Sequence, residues 1–424
     1  MALLSYPIYT NKEENVYRIF DRTFKKSSNI TIAYSGGKDS TTLAILFLRW
    51  LKLRRIRGFR ITLLHNDTMS EIEPMEYWAR SFMFTFKKLA SELGNEVRIK
   101  IARPPIIDTF YWRVIIRGYP APTWNFRWCV KLLKTNPTTT TIGSLTNNYI
   151  ITGVRELEST ERAKLVRQKY GGCALGASKC LAYYFLKFND KRNKKMAPLR
   201  DWVNADIWEF LRSVNDVDIS NLLYLYGCEE ARYGCWHCTL AIVQWGLQVL
   251  DERYLYWDVT RLLYRRISDI PELRLKKTTG YSRLGALNAC ARSILLHLMK
   301  ITEQVSGVKL YGLDESYYRS SSLREILYEL DPPEAEKIIT EADPRLDTRK
   351  RVPISDIRNI SNYRSIIPHI SSLLDTTTSN DKSRIIAIRK GFDPVATLLA
   401  ELLKAAGCAE TVYKQPSQLS KTVE

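Results

Sequence analysis

The stretch IAYSGGKDSTT, from Ile32 to Thr42, joins a β-branched run to a helical pattern through two adjacent glycines. Adjacent glycines let the backbone come close to a ligand and take dihedrals other residues avoid. The helix that follows offers free N–H groups and the positive end of its dipole. Lys38 adds a mobile cation, and Ser35 and Ser40 add hydroxyl donors beside Gly36 and Gly37. The ligand this junction suits carries phosphates. It is not the common ATPase loop, which has four residues between its glycines. LHNDT, ending at Thr68, closes the next apolar run. In an open parallel sheet ligands sit beyond the carboxyl ends of the strands. Asp67 and Thr68 therefore read either as nucleotide contacts or as a plain strand-end turn.

Two further constellations have chemistry in them. GVRELESTER places Arg155 just after Gly153, with Ser159 and Arg162 on the next helical pattern. Arginine suits bidentate contact with phosphate or sulfate oxygens, and Arg155 is expected at the ligand edge. Glu158 and Arg162, four apart, are also the spacing of an ordinary surface pair. GCEEARYGCWHC sets Cys228, Cys235 and Cys238 at C-x6-C-x2-C spacing. A C-x2-C pair brings two thiolates to one metal from a tight turn, and a third cysteine makes three ligands. Cys129, in NFRWCVKLL, is the candidate for the fourth, with His237 next. Four thiolates serve an iron–sulfur cluster or a structural zinc equally well. Cys173 and Cys180 repeat the six-residue spacing as a second site, a redox pair or neither; Cys290 and Cys408 sit in helical patterns as core residues.

The SGGKDS loop with its strand and helix resembles the pyrophosphate loop of the PP-loop ATP pyrophosphatase superfamily. The order SGGKDS, RWCVKLLK, GVRELESTER and PLRDWVNADIW resembles its phosphoadenosine phosphosulfate reductase-like branch, and RYGCWHC is similar to the signature of the DNA phosphorothioation sulfurtransferase family DndC. The resemblance runs over roughly residues 30–245. It implies ATP cleaved to AMP and pyrophosphate with Mg²⁺ present, and sulfur passed onto DNA with a 4Fe–4S cluster, Zn²⁺ being the alternative. By the same resemblance Ser35, Gly36, Gly37, Lys38 and Ser40 hold pyrophosphate, and Asp39 positions the metal or the helix start. Arg155, with Ser159 and Arg162, holds the substrate's anionic group, and Cys129, Cys228, Cys235 and Cys238 hold the cluster. The implied partners are double-stranded DNA, a cysteine desulfurase and other phosphorothioation proteins. A sulfonucleotide reductase and a tRNA thiolation enzyme are the alternatives within the superfamily. The reductase ordinarily has a nucleophilic cysteine in a Glu-Cys-Gly motif, whereas Cys408 stands in AGCAE.

The elements that must position these residues alternate. A helix near 12–26, the strand NITIAYS, a helix over about 39–53, the strand FRITLLHND, a helix over 72–93, and the strands EVRIKIA and NYIITG follow in order. Leu43, Leu46, Phe47, Trp50 and Leu51 form one apolar stripe on the second helix. Alternation of apolar strands with helices predicts an α/β fold: a Rossmann-like, adenine nucleotide alpha hydrolase-like parallel sheet with helices on both faces. Asn204 is placed to cap a further helix with Ile207, Phe210, Leu211 and Val214 inward. From about 245 the chain reads as mostly helical, including a helix from Asp393 to Gly407. The expected organisation is 1–245 as the nucleotide and cysteine domain, 246–412 as a helical region and 413–424 as a loose tail, with 375–383 as a linker.

The chain of 424 residues has 64 Lys+Arg against 45 Asp+Glu, a net charge of +19. That balance favours polyanionic partners such as nucleic acid. Basic residues bunch at 51–60 and 187–196, the second bunch reading as an insertion or loop. No apolar run spans a bilayer, and the start lacks the basic and long apolar regions of a signal peptide, so the expected setting is the cytoplasm, away from membranes.

Overall fold

Apolar, β-branched runs form the centre of the chain. β1 (Asn29–Tyr34), β2 (Arg60–Asn66), β3 (Glu96–Ala102) and β4 (Asn148–Thr152) fall where the sequence places strands. Residues of β1 and β2 are buried almost without alternation, as when a sheet is covered on both faces. Two short strands, β5 (Phe185–Lys187) and β6 (Asn193–Met196), complete the sheet. The computed structural model describes residues 9–24, 29–143, 148–156, 184–187, 193–227 and most of 231–308. Ser159, Arg162, Cys173, Cys180, Cys228, Cys290 and Cys408 lie outside the described residues, as do the expected linker, the helix of 393–407 and the tail.

The sheet order is β3-β2-β1-β4-β6-β5. The first five of these neighbours pair in parallel, and β5 closes the edge antiparallel to β6. The chain builds outward from β1 to β2 and β3 on one side, then returns to lay β4 on the other. The switch point is therefore the crevice beyond the carboxyl ends of β1 and β4, where open α/β sheets bind ligands. The 187–196 stretch, read as an insertion or loop, holds the last residue of β5 and all of β6, with 188–192 outside the described residues. Lys194 and Lys195 sit in β6, paired with Tyr149 and Ile150. A polar run becomes a strand here because its backbone pairs with β4, a tertiary choice no local pattern announces.

The helices are α1 (Tyr9–Thr23), α2 (Lys38–Leu53), α3 (Glu73–Glu92), α4 (Asn136–Gly143), α5 (Asn204–Ser213) and α6 (Ser220–Tyr226). The α2 stripe of Leu43, Leu46, Phe47, Trp50 and Leu51 is buried to the last residue. Burying each such side chain stabilises by about 1.5–3 kcal/mol relative to leaving it in water. Phe20, Phe24 and Phe59 pack around Trp50. Its indole N–H donates to Asp21 Oδ1 at 2.8 Å. α5 begins at Asn204, but Val203 takes the cap position, and the Asp206 carboxylate reaches back to accept from the Val203 N–H at 2.7 Å.

These elements make one compact unit, residues 1–67, 73–103 and 134–229. A second unit comprises 68–72, 104–133 and the chain from 230 onward. It contains a π-helical turn (Trp112–Ile116), the helix α7 (Glu252–Asp269) and a short antiparallel pair, β7 (Arg274–Lys276) and β8 (Leu284–Leu287), inside the stretch read as mostly helical. No helix among the described residues is long and apolar enough to cross a membrane.

Candidate nucleotide and cysteine sites

β1 ends at Tyr34, and the loop Ser35–Gly37 turns directly into α2. Gly36 has φ +78°, and a Cβ there would lie 2.7 Å from the Ala79 Cβ. Only glycine permits both the left-handed backbone and this approach to α3. The Trp78 indole fixes the same peptide from α3, donating to the Gly36 carbonyl at 3.0 Å. Inside the loop the Ser35 and Ser40 hydroxyls lie 3.1 Å apart, Ser40 Oγ donates to the Gly37 carbonyl at 2.9 Å, and the Ser35 N–H donates to Ser40 Oγ at 3.2 Å. The loop is thus a pre-formed cradle at the amino end of a sixteen-residue helix.

β4 arrives beside it. Gly153, the first residue past β4, packs so closely that a Cβ would meet the Asp39 carbonyl group at 2.8 Å. Two residues on, Arg155 is 3% exposed and donates through Nε to Asp39 Oδ1 at 2.6 Å. The arginine expected at the ligand edge is therefore turned inward, where it fixes the first turn of α2. Of the two roles expected for Asp39, the helix-start role is the one visible, since its carboxylate sits in that first turn.

Lys38 is buried, with its ammonium 5.4 Å from the Tyr226 ring centroid and 6.0 Å from that of Trp208. The Tyr226 hydroxyl also accepts from the Lys38 backbone N–H at 3.2 Å. Such aromatic faces hold a cation by about 0.5–2 kcal/mol. Nothing local in the sequence links Tyr226 or Trp208 to the loop, and neither is foreseen from it.

At the end of β2, Asp67 Oδ2 accepts from Arg103 Nε at 2.7 Å and from an Arg80 terminal nitrogen at 3.0 Å. Arg80 Nε also donates to Glu76 Oε1 at 2.6 Å, and Glu76 Oε2 lies 2.9 Å from His65 Nε2. His65 Nδ1 is 3.0 Å from the Tyr34 carbonyl, so both ring nitrogens face acceptors. Burial pushes the Glu76 carboxyl up, but the hydrogen bonds and charges of His65 and Arg80 outweigh it and leave its pKa below the ordinary value. The expected contact Asp67 is thus the anchor of two arginines whose guanidinium groups are partly exposed.

The second unit carries Cys129, Cys235 and Cys238. The Cys238 N–H donates to the Cys235 carbonyl at 3.0 Å, the tight turn expected of C-x2-C. Buried Arg261 grips this turn, donating to the Cys238 and Ala241 carbonyls at 3.1 and 2.9 Å. Cys129, Cys235 and Cys238 are thiols rather than disulfide halves. The His237 ring stacks on Phe110 at 4.0 Å, within an aromatic cluster that includes Trp236. Tyr264 packs edge-on against the same Phe110, and its hydroxyl is pushed well up, first by burial and next by Cys129. Thiols in a carbonyl-gripped turn match the donor chemistry of soft metals. Among the described residues no three His, Cys, Asp or Glu side chains gather as a metal ion requires, and Cys228 is outside them.

Thr68 belongs to this unit. Its hydroxyl donates to Glu71, whose Oε2 also accepts the Thr68 N–H at 3.1 Å. Cys235 Sγ lies 3.4 Å from the Thr68 hydroxyl and 3.8 Å from Glu71 Oε1. Met69 between them has φ +59°, a conformation that costs a non-glycine residue about 1–2 kcal/mol. The Thr-x-x-Glu spacing that pairs Thr68 with Glu71 was the available signal for the carboxylate beside Cys235.

A sequence profile of the phosphoadenosine phosphosulfate reductase domain matches residues 29–241. Two uncharacterized proteins of Methanocaldococcus jannaschii are 25% identical over 228 residues and 24% identical over 237 residues. Each match covers 54% of this chain but 45% and 40% of the relatives, so the chain spans less than half the length of the curated relatives it matches. Among solved structures, the phosphoadenylyl-sulfate reductase of Candida auris in its phosphate complex has a TM-score of 0.35 at 17% identity, covering 54% of this chain and 90% of that one. The FMN adenylyltransferase of Candida glabrata with ATP gives 0.30 at 18%, covering 52% and 59%. The U34-tRNA thiolase NcsA of Methanococcus maripaludis with its 4Fe–4S cluster gives 0.29 at 16%, covering 50% and 69%.

Proposed function

The chain belongs to the phosphoadenosine phosphosulfate reductase domain family, and from that premise we propose that it is an ATP-cleaving sulfurtransferase that forms AMP and pyrophosphate and acts on nucleic acid. The observation that supports this most is the pre-formed Ser35–Ser40 cradle at the crevice between β1 and β4. Backbone N–H groups of Gly36 and Gly37, with the Ser35 and Ser40 hydroxyls, bind the β- and γ-phosphates, and Lys38 neutralises charge as pyrophosphate departs. An oxygen of the target attacks the α-phosphorus; the bond to the β-phosphate oxygen breaks, and the target is left as an adenylate. A sulfur nucleophile then attacks the activated atom, and AMP leaves with the electron pair. Mg²⁺ accompanying the triphosphate would screen its charge. Asp39 and Arg155 hold the helix start rigid, so the cradle needs no rearrangement as charge develops.

Cys129, Cys228, Cys235 and Cys238 are the residues that would hold an iron–sulfur cluster, which when bound supplies a carrier for sulfur; zinc in the same set would be structural. The target implied by the sequence resemblance is a DNA backbone phosphate, with sulfur from a cysteine desulfurase and partner phosphorothioation proteins. A sulfonucleotide reductase reading is favoured by the family match alone, since the same cradle suits a sulfonucleotide's phosphates.

The test is product analysis of the full chain with ATP and, in separate reactions, duplex DNA, tRNA and a sulfonucleotide. AMP and pyrophosphate that require one nucleic acid and vanish in Lys38→Ala, with the fold intact by circular dichroism, are the expected result. Formation of ADP, or AMP formation unchanged in Lys38→Ala, overturns the reading.

A further inference from the structure

We propose that Trp124, Phe126 and Arg127 form a stacking platform for an unpaired base of a nucleic-acid substrate, an inference that rests on the nucleic-acid reading above. The three residues stand on a tight turn of the second unit. The Phe126 N–H donates to the Thr123 carbonyl at 3.0 Å, the Thr123 N–H returns to the Phe126 carbonyl at 3.3 Å, and Thr123 Oγ1 also accepts the Phe126 N–H at 3.2 Å. Trp124, at the tip, is 59% exposed and Phe126 is 45% exposed. Three of the ten large hydrophobic side chains exposed among the described residues, Trp124, Phe126 and Val130, fall within this one short segment, so the exposure is concentrated rather than scattered.

The platform is backed by half-buried Tyr119 and Arg113 and buried Trp128. The Phe126 ring lies 6.2 Å from that of Tyr119, which packs edge-on against Trp128 at 5.3 Å. The Arg113 guanidinium donates to the Tyr119 hydroxyl at 3.1 Å, and the Trp128 indole N–H donates to the Pro120 carbonyl at 3.0 Å. The exposed rings are therefore held in place before any ligand arrives, which lowers the cost of binding. The Arg127 guanidinium already lies 4.2 Å from the Trp124 ring centroid, leaving a planar cation and an aromatic face together at the surface. A nucleobase is the ligand that such a pair suits, because every base has a π-face and stacks on Trp, Phe and Arg.

Charge selects the same occupant. Within the second unit Arg117, Arg127 and Lys131 follow Asp108 with no acidic residue among them, and Asp108 itself is paired with Arg113. Arg127 and Lys131 are exposed. A phosphate backbone is attracted to such a stretch, and nothing acidic within it repels one. Arg127 stands two residues before Cys129, a separation of at most about 7 Å along the chain.

The test uses the full chain without ATP and two labelled oligonucleotides of equal phosphate count, a stem-loop with an unpaired loop and a blunt duplex, each made as DNA and as RNA. The wild-type chain is expected to prefer the stem-loop. Trp124→Ala should weaken stem-loop binding about ten-fold while leaving duplex binding, its salt dependence and the melting temperature unchanged, and Trp124→Phe should restore most of the affinity. Loss on the DNA loop alone or on the RNA loop alone supports the platform and names the substrate. Stem-loop affinity unchanged in Trp124→Ala, or equal loss on stem-loop and duplex, overturns it. So does a changed oligomeric state with unchanged stem-loop binding, which assigns the turn to a protein contact. Failure to bind any oligonucleotide overturns the nucleic-acid reading itself, whereas a chain that forms AMP but ignores Trp124→Ala loses only the platform.

Discussion

Arg155 and Asp39 meet at 2.6 Å, the guanidinium donating through Nε, and so tie the chain leaving β4 to the first turn of the helix that follows β1. The arginine side chain is 4% exposed and the aspartate 22%. Removing the carboxylate strands a buried cation, which costs about 3–5 kcal/mol. Asp39→Ala should therefore lower the urea midpoint strongly, and Arg155→Ala should lower it as well. The double variant should be less destabilised than the sum of the two, because neither charge is then left alone. Strictly additive losses in urea titrations would show that the pair is not coupled.

Gly36→Ala probes the cradle without touching a polar group. The new Cβ must accept φ +78° and a 2.7 Å approach to the Ala79 Cβ. Together the left-handed backbone and the overpacking should cost about 2 kcal/mol or more. Gly143→Ala, where nothing lies within 4 Å of the added carbon, is the control and should change stability by less than about 1 kcal/mol. ATP binding measured by calorimetry should fail in Gly36→Ala and persist in Gly143→Ala. Wild-type binding in both variants would separate the loop from the nucleotide.

What the sequence made legible was local. The SGGKDS turn between β1 and α2 could be placed because glycine, strand end and helix start are consecutive, and β1 and β2 because buried parallel strands are apolar almost without interruption. The cysteine turn followed from its spacing and is present as a Cys235–Cys238 hydrogen-bonded turn. What escaped was tertiary. Arg155 finds Asp39 across 116 residues and Tyr226 finds Lys38 across 188, and neither partner leaves a periodic trace. β6 escaped for a related reason: its lysines satisfy no apolar pattern, and only pairing with β4 makes them a strand.

Acid should expose the His65–Glu76 pair. The Glu76 pKa is depressed in the folded chain by His65 and Arg80, against the upward push of burial. A depressed carboxyl stabilises the fold above its unfolded pKa of about 4.3. That stability is lost as pH falls through the lower folded value. Glu76→Gln should be less stable than wild type at neutral pH by about 1–3 kcal/mol, since the buried His65 nitrogen and Arg80 lose an ionised acceptor. The difference should shrink steadily below about pH 4, where the wild-type carboxyl takes up its own proton. Melting temperatures of the two chains measured across this range check the sign. A gap that widens in acid would mean Glu76 is not the ionised partner.

The Cys235–Cys238 turn has its two carbonyls engaged from outside the turn, Cys235 by Gln244 at 3.4 Å and Cys238 by Arg261 at 3.1 Å. That arrangement fixes the backbone through its carbonyls rather than through the thiols, so loss of a thiol and loss of turn geometry are separable. Cys235→Ser and Cys238→Ser should each lower iron per chain severely after anaerobic reconstitution and bleach the visible charge-transfer absorption, with little change in far-ultraviolet circular dichroism. Chelation of the wild-type chain should give the same spectrum as these variants. Arg261→Lys keeps a charge but loses the planar guanidinium that reaches both carbonyls through one terminal nitrogen while its Nε pairs with Asp258. It should load metal more slowly, or less fully, than wild type while retaining all its thiols by titration. Full iron in Cys235→Ser would remove that thiol from the site. A colourless chain that retains zinc through reconstitution, and loses it in the serine variants, would make the centre structural rather than a carrier of sulfur.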